Sequence, residues 1–230
     1  MKLNKIGGLI ISIILLWSLV TYAQETDSES DIRGTALGGK FGTLGWGIEV
    51  VQSLKKNLNA RMGLNYYSGN YDGTGDDIEY DIDVNLYSWS ALLDWYPYEG
   101  EFRVSGGILY NGNNVDILGE PTDSVKIGDT KYTPSAIGNL TYDVSFRGIA
   151  PYLGIGFGNA TGKDRTLSFA IDLGFVFQGT PDVEISANGW IASDQMFQRD
   201  LRKEEEELED DISAIKYYPV LSFGFTYRFR

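Results

Sequence analysis

The sequence predicts an all-β fold, an eight-stranded antiparallel up-and-down β-barrel of the transmembrane kind with one acidic helix in a long external loop. Three observations predict it. Stretches of the chain alternate with a period of two between large apolar residues and small or polar ones, and none is uniformly apolar, which disfavours a buried parallel sheet. Short and long connections alternate between these stretches, so the long ones share one rim. The 28 Gly, 15 Tyr and 11 Phe suit glycine-punctuated strands better than helices.

The N-terminus reads as an export signal. Lys2 and Lys5 precede an apolar run from Ile6 to Val20, and Thr21-Tyr22-Ala23 supplies the small residues of a cleavage point after Ala23. The run is shorter than the roughly 20 residues a spanning helix needs. Acidic Glu25, Asp27, Glu29 and Asp31 follow it, where a membrane anchor has basic flanks. The chain thus divides into a signal peptide (1–23), an acidic tail (24–32) and a barrel domain (33–230). Cleavage removes two lysines and no acids, moving the formal charge from −13 to −15.

The strands follow in order. Arg33–Phe41 is the expected first strand, turning at Gly42-Thr43. Trp46, Ile48 and Val50 then alternate with Gly47, Glu49 and Val51, and Leu58, Ala60, Met62, Leu64 and Tyr66 with Asn59, Arg61, Gly63 and Asn65. Tyr87, Trp89, Ala91, Leu93 and Trp95 oppose Ser88, Ser90, Leu92 and Asp94; Phe102, Val104 and Ile108 oppose Arg103, Ser105 and Leu109. Leu153, Ile155 and Phe157 oppose Gly154, Gly156 and Gly158, a glycine triplet without the spacing of a nucleotide loop. The clearest stretch runs from Leu167 to Gln178, and the last from Leu221 to Phe229. Short turns are expected at Gln52–Asn57, Tyr96–Glu101 and Asn159–Thr166, and long loops at Ser68–Asp81, Gly112–Arg147 and Gly179–Lys216.

The inward face follows from charge. Glu49, Asp94 and Asp172 lie on the same face as Arg61, Arg103 and Arg228, and pairing of this kind suits a narrow, filled lumen in which charges must be neutralised. The continuous apolar face then meets lipid. Trp95, Tyr96, Phe102, Tyr227 and Phe229 near one end, with Tyr66, Tyr67, Tyr110 and Phe177 near the other, form two expected aromatic girdles. The competing architecture is a soluble β-sandwich with one wet face.

The C-terminus carries a more specific signal. Ser222, Gly224, Tyr227 and Phe229 resemble the C-terminal signature of bacterial outer-membrane barrels, followed here by an additional Arg230. The chain as a whole is similar to the small outer-membrane β-barrel family that includes opacity-type proteins and the OmpA transmembrane domain. The resemblance implies an outer-membrane location, membrane lipids as surroundings and the barrel-assembly machinery as the partner that reads those four residues. It implies no single activity.

Composition excludes much chemistry. With no His and no Cys there is no imidazole base, no Ser-His or Cys-His nucleophile pair, no disulfide and no thiolate metal site. The negative charge argues against nucleic acid. The known small-barrel enzymes of the outer membrane resemble one another in using an essential His, so no enzymatic activity and no cofactor are expected. Asp72, Asp76, Asp77, Glu79, Asp81 and Asp83 form a candidate external cation or partner site, without EF-hand spacing. Residues 194–215 are the helical candidate, with an apolar stripe of Phe197, Leu201, Leu208, Ile212 and Ile215 expected to pack on the barrel rim or on neighbouring loops. Nineteen of the 32 acids fall in 25–31, 72–83 and 194–211, which leaves the barrel wall near neutral. Three functions remain open: a closed barrel presenting acidic loops, a small pore, and an adhesin acting through those loops.

Overall fold

The computed structural model describes residues 34–75, 78–98, 100–146, 148–162 and 166–229. The expected signal peptide, cleavage point, acidic tail, Asp76, Asp77 and Arg230 lie outside them. The described residues form thirteen strands: β1 (Thr35–Gly42), β2 (Gly45–Lys55), β3 (Leu58–Gly75), β4 (Ile78–Trp95), β5 (Phe102–Asn111), β6 (Asn114–Pro121), β7 (Val125–Ile127), β8 (Thr130–Tyr132), β9 (Leu140–Ser145), β10 (Ile149–Phe157), β11 (Leu167–Phe177), β12 (Asp182–Ala187) and β13 (Tyr217–Phe229). Among the described residues two α-helices join them, α1 (Pro134–Ile137) and α2 (Gln195–Asp211).

Eight strands close a ring in the order β1, β2, β3, β4, β5, β10, β11, β13, every neighbour antiparallel. β1 and β13 seal it, from Thr35 opposite Phe229 to Gly42 opposite Ser222. Closure leaves no exposed edge in the wall, as a spanning sheet requires where no water can satisfy backbone groups. The first strand is separate, as expected, and turns one residue later, at Thr43-Leu44. Gly45 closes that turn with φ +90°, and a Cβ there would stand 2.5 Å from the carbonyl oxygen of Tyr66, so only glycine fits.

The wall has the polarity of a membrane barrel. Trp46 (70% exposed), Ile48, Leu93, Leu153, Ile155, Leu173 and Phe225 face outward, whereas Glu49, Arg61, Ser90, Asp94, Arg103 and Asp172 are buried inside. Two expected girdle residues belong elsewhere. Tyr96 is 3% exposed and reaches Asn59 and the Gly158 carbonyl in the lumen, and Tyr67 has the inward parity of Arg61. Ring type alone overrode strand parity in that expectation.

The three long connections are not loops. β3 and β4 are 18 residues each, although about 9–11 tilted residues cross a bilayer. Their upper halves continue as a hairpin, on which β6, β9 and β12 add in turn to make a five-stranded antiparallel sheet beyond the rim. The described residues of the expected loop Ser68–Asp81, 68–75 and 78–81, are therefore strand, because the apolar phase shifts by one residue at the rim. Below it the outward residues Leu64, Tyr66, Tyr87 and Trp89 are apolar; above it the outward residues are Ser68, Asn70, Asn85 and Asp83. The apolar residues Ile82, Ile117, Tyr142 and Ile185 instead line the other face, the one that continues the lumen side.

That inner face makes a second core. Ile127, Ile137, Leu140, Val183, Ile185, Ile191, Phe197 and Leu201 are all buried together, with Leu208 and Ile212 packed against them. The stripe of α2 thus meets the module's own sheet, not the barrel rim. Ile215 has left the helix, in a 3₁₀ turn at Ser213–Lys216, and is exposed. Asp194 caps α2 by accepting from the backbone N–H of Met196 (2.8 Å) and Phe197 (3.1 Å).

Candidate functional site

Two places concentrate charge: a layer inside the barrel and the outward face of the external sheet. In the lumen each charged side chain comes from a different strand, because inward parity recurs every second residue. Arg61 of β3 is the hub. Its Nε lies 3.0 Å from Asp94 Oδ2, its Nη1 3.1 Å from Asp172 Oδ2 and 3.5 Å from Glu49 Oε2. Arg103 Nη2 donates to Asp172 Oδ1 at 2.7 Å, and its Nη1 donates to the Gly158 carbonyl. Ser105 Oγ donates to Asp94 Oδ1 at 2.6 Å.

Lys40 of β1 was not expected in this layer. Its Nζ lies 3.4 Å from Glu49 Oε2 and balances the three carboxylates against three cations. The signal was present in the inward parity of Ala36, Gly38 and Lys40, but the glycines of β1 hide its alternation. Arg228 stands at the short-turn rim, where its Nη1 donates to the carbonyls of Thr161 (3.2 Å) and Gly162 (2.8 Å). Glycines make room for the layer. A Cβ on Gly156 would come within 2.7 Å of Asp172 Oδ1 and 2.9 Å of the Arg103 guanidinium.

The other lumen layers are filled too. Leu92, Leu109, Tyr152, Val176 and Val220 form an apolar plug above the charges. Toward the external rim Asn65 bonds Ser88 (3.0 Å) and Asn111 bonds Gln178 (2.6 Å). A void of about 10 Å³ beside Glu49, Arg61, Asp94 and Arg103 matches a single water. Of the expected assembly signal, Tyr227 and Phe229 face outward in edge-to-face contact (5.4 Å). Ser222 Oγ points inward, 3.5 Å from Asp172, and Gly224 pairs with Lys40.

Outside, directly opposed strand residues share a face. One row crosses the whole sheet: Asn70, Asp83, Asp116, Asp143 and Glu184 on β3, β4, β6, β9 and β12. Asp72 opposes Asp81, and Glu79 opposes Glu120. The expected acidic residues Asp72, Glu79, Asp81 and Asp83 therefore join carboxylates from strands distant in sequence. No Lys or Arg occupies this face among the described residues. None of its carboxylates belongs to a group of three or more arranged to hold a metal ion, again among the described residues.

Partial burial and the neighbouring Asp143 carboxylate raise the pKa of Asp116, and Asp83 adds to the effect. A carboxyl whose folded-state value is raised favours folding at low pH and loses that contribution as pH climbs through the raised value. Asp116→Asn is therefore expected to stabilise the external sheet at neutral pH by about 0.5 kcal/mol, the scale of a like-charged cross-strand pair. It should also flatten the gain the native sheet shows on acidification. Proteolytic resistance of residues 112–216 against pH measures both.

The helix acids do something different. Glu205 accepts from the Ile185 N–H (2.8 Å) and Glu209 from the Val183 N–H (3.1 Å), while Glu204 accepts from the Gly128 N–H (3.0 Å). Four helical residues rise about 6 Å and two strand residues about 6.8 Å, so Glu205 and Glu209 match successive outward N–H groups of β12. They cap that edge of the sheet.

No family model matches the chain, and no curated protein matches it. Among solved structures it is similar to Acinetobacter baumannii CarO2, with TM-score 0.59 and 18% identity over 87% of this chain and 100% of that one. CarO of the same organism gives 0.56 and 18% over 88% and 100%. A major outer membrane protein from Thermus thermophilus is more distant, at 0.44 and 14% over 87% and 100%. The chain has the fold of a small outer-membrane β-barrel.

Proposed function

We propose that the chain is an integral outer-membrane protein with no enzymatic role, whose sealed barrel anchors a folded acidic module outside the cell. The observation that carries this reading is the change of outward polarity between two adjacent cross-strand pairs. Tyr66 opposite Tyr87 belongs to the apolar belt, and Ser68 opposite Asn85 begins the hydrated sheet. Lipid and water supply that boundary. The export signal and the C-terminal residues Ser222, Gly224, Tyr227 and Phe229 support delivery through the barrel-assembly machinery.

The neutral charge layer and the apolar plug support a closed lumen. Eight strands enclose an interior that side chains can fill, and here they fill it at three levels. The competing reading is a pore for ions or small solutes. Purified protein in a planar bilayer is expected to give no steady unitary openings; defined, reproducible conductance would establish the pore. A second reading, that the module binds an external partner, is favoured by its carboxylate rows free of basic residues among the described residues.

A further inference from the structure

We infer that the upper half of β3, residues 67–75, is a docking edge for an extended, basic polypeptide segment that adds to the external sheet as a further strand. This rests on the module being a binding surface and names the surface and its ligand. The two edges of the sheet are treated differently. At β12 the outward N–H groups of Val183 and Ile185 are taken by Glu209 and Glu205 of α2. At the opposite edge β2 stops pairing with β3 at Trp46 opposite Tyr66, and, among the described residues, 67–75 pair with β4 alone. The free edge is nine residues long. It has no Lys, no Pro and no register break, devices that ordinarily blunt such an edge, and its one charged residue, Asp72, opposes an acidic strand and favours a basic one.

Strand parity identifies the groups on offer. Asn57 accepts from the Tyr96 N–H, and Ser53, opposite Asn59, donates to the Gly34 carbonyl, so odd-numbered β3 residues bond toward β4 and even-numbered ones away from it. Above the rim the outward backbone groups belong to Ser68, Asn70, Asp72 and Thr74. Their side chains lie on the carboxylate face, so an added strand extends the rows that contain Asp72–Asp81 and Asp83–Asp116–Asp143–Glu184. Lys or Arg at alternate positions of that strand would meet these rows, and its other residues would lie beside Tyr71 on the apolar side. A second copy fits poorly. Antiparallel pairing about Tyr71 sets Asp72 of each copy beside Asn70 of the other, and so brings the Asp72–Asp81 pair of one copy up to the Asp83–Asp116–Asp143–Glu184 row of the other, carboxylates against carboxylates.

The test uses the whole protein in detergent or lipid nanodiscs and a nine-residue peptide of alternating lysine and threonine. Two N-methylated isomers of the peptide, blocked on one edge or the other, complete the set. The unmethylated peptide and one isomer are expected to bind, and the other isomer to bind at least tenfold more weakly. Asn70→Pro, which removes an outward N–H and no carboxylate, should give the same loss with the barrel intact by heat-modifiable migration. Equal binding of both isomers would overturn the edge and leave a binding module that works by charge alone. No binding of any basic peptide would overturn the module reading as well, and dimers that compete with the peptide would replace it by self-pairing.

Discussion

Arg61→Met is expected to lower the stability of the folded barrel by about 3–5 kcal/mol, the cost of stripping one partner from a buried ionic cluster. Arg61 is 3% exposed and touches Glu49, Asp94 and Asp172, so the substitution leaves three carboxylates facing Lys40 and Arg103 alone. The midpoint of heat-induced loss of the compact, faster-migrating form in detergent reads the effect. Adding Asp172→Asn to Arg61→Met restores charge balance and is expected to recover part of the loss. A purely steric role for Arg61 would show no recovery. An unchanged midpoint in the single variant would mean that the charged layer is hydrated and open.

Phe197→Ala is expected to cost about 3–5 kcal/mol in the external module and little in the barrel, as for large aromatic truncations in packed cores. Phe197 is 1% exposed and stands edge-to-face with Tyr132 at 5.0 Å, amid Ile127, Ile137 and Ile185. The module joins the wall through the continuous strands β3 and β4 but has its own core, so the two should separate under stress. Limited proteolysis is expected to cleave the variant within 112–216 while its heat-modifiable migration persists. Simultaneous loss of both would mean one cooperative unit.

The barrel was legible because its two solvents write on the sequence. Lipid outside and a crowded polar lumen inside force alternation over long runs such as Leu167–Gln178, and Arg61, Arg103, Asp94 and Asp172 declared their face by parity. The same rule hid the module. Above the rim water replaces lipid on the outward face, so the apolar residues Ile82, Ile117 and Ile185 change phase, and a reading tuned to outward apolar residues ends the strand at Tyr67, before the expected loop Ser68–Asp81. The six-residue strands β9 and β12 each bring too few residues to set a period against that change.

The helix shows the same division. Phe197, Leu201 and Leu208 announced an amphipathic helix within 194–215, and its position in the chain was read to within a turn. Packing of its stripe onto the neighbouring connections was one of the two expectations; the role of its glutamates was not read, because the groups they bind are the backbone N–H groups of Val183 and Ile185, and main-chain donors leave no mark in sequence. Lys40 was missed for want of neighbours, preceded as it is by Gly38 and Gly39.

The polarity change at the rim is the centre of this account, and a chain without cysteine makes it directly measurable. Single substitutions Met62→Cys, Leu64→Cys, Asn70→Cys and Asp72→Cys place thiols along the outward face of β3, two on each side of the rim. A membrane-impermeant maleimide applied to intact cells is expected to label the cysteines at 70 and 72 and to leave those at 62 and 64 unlabelled until the membrane is dissolved. Equal labelling of all four in intact cells would contradict a lipid-facing belt that ends at Tyr66.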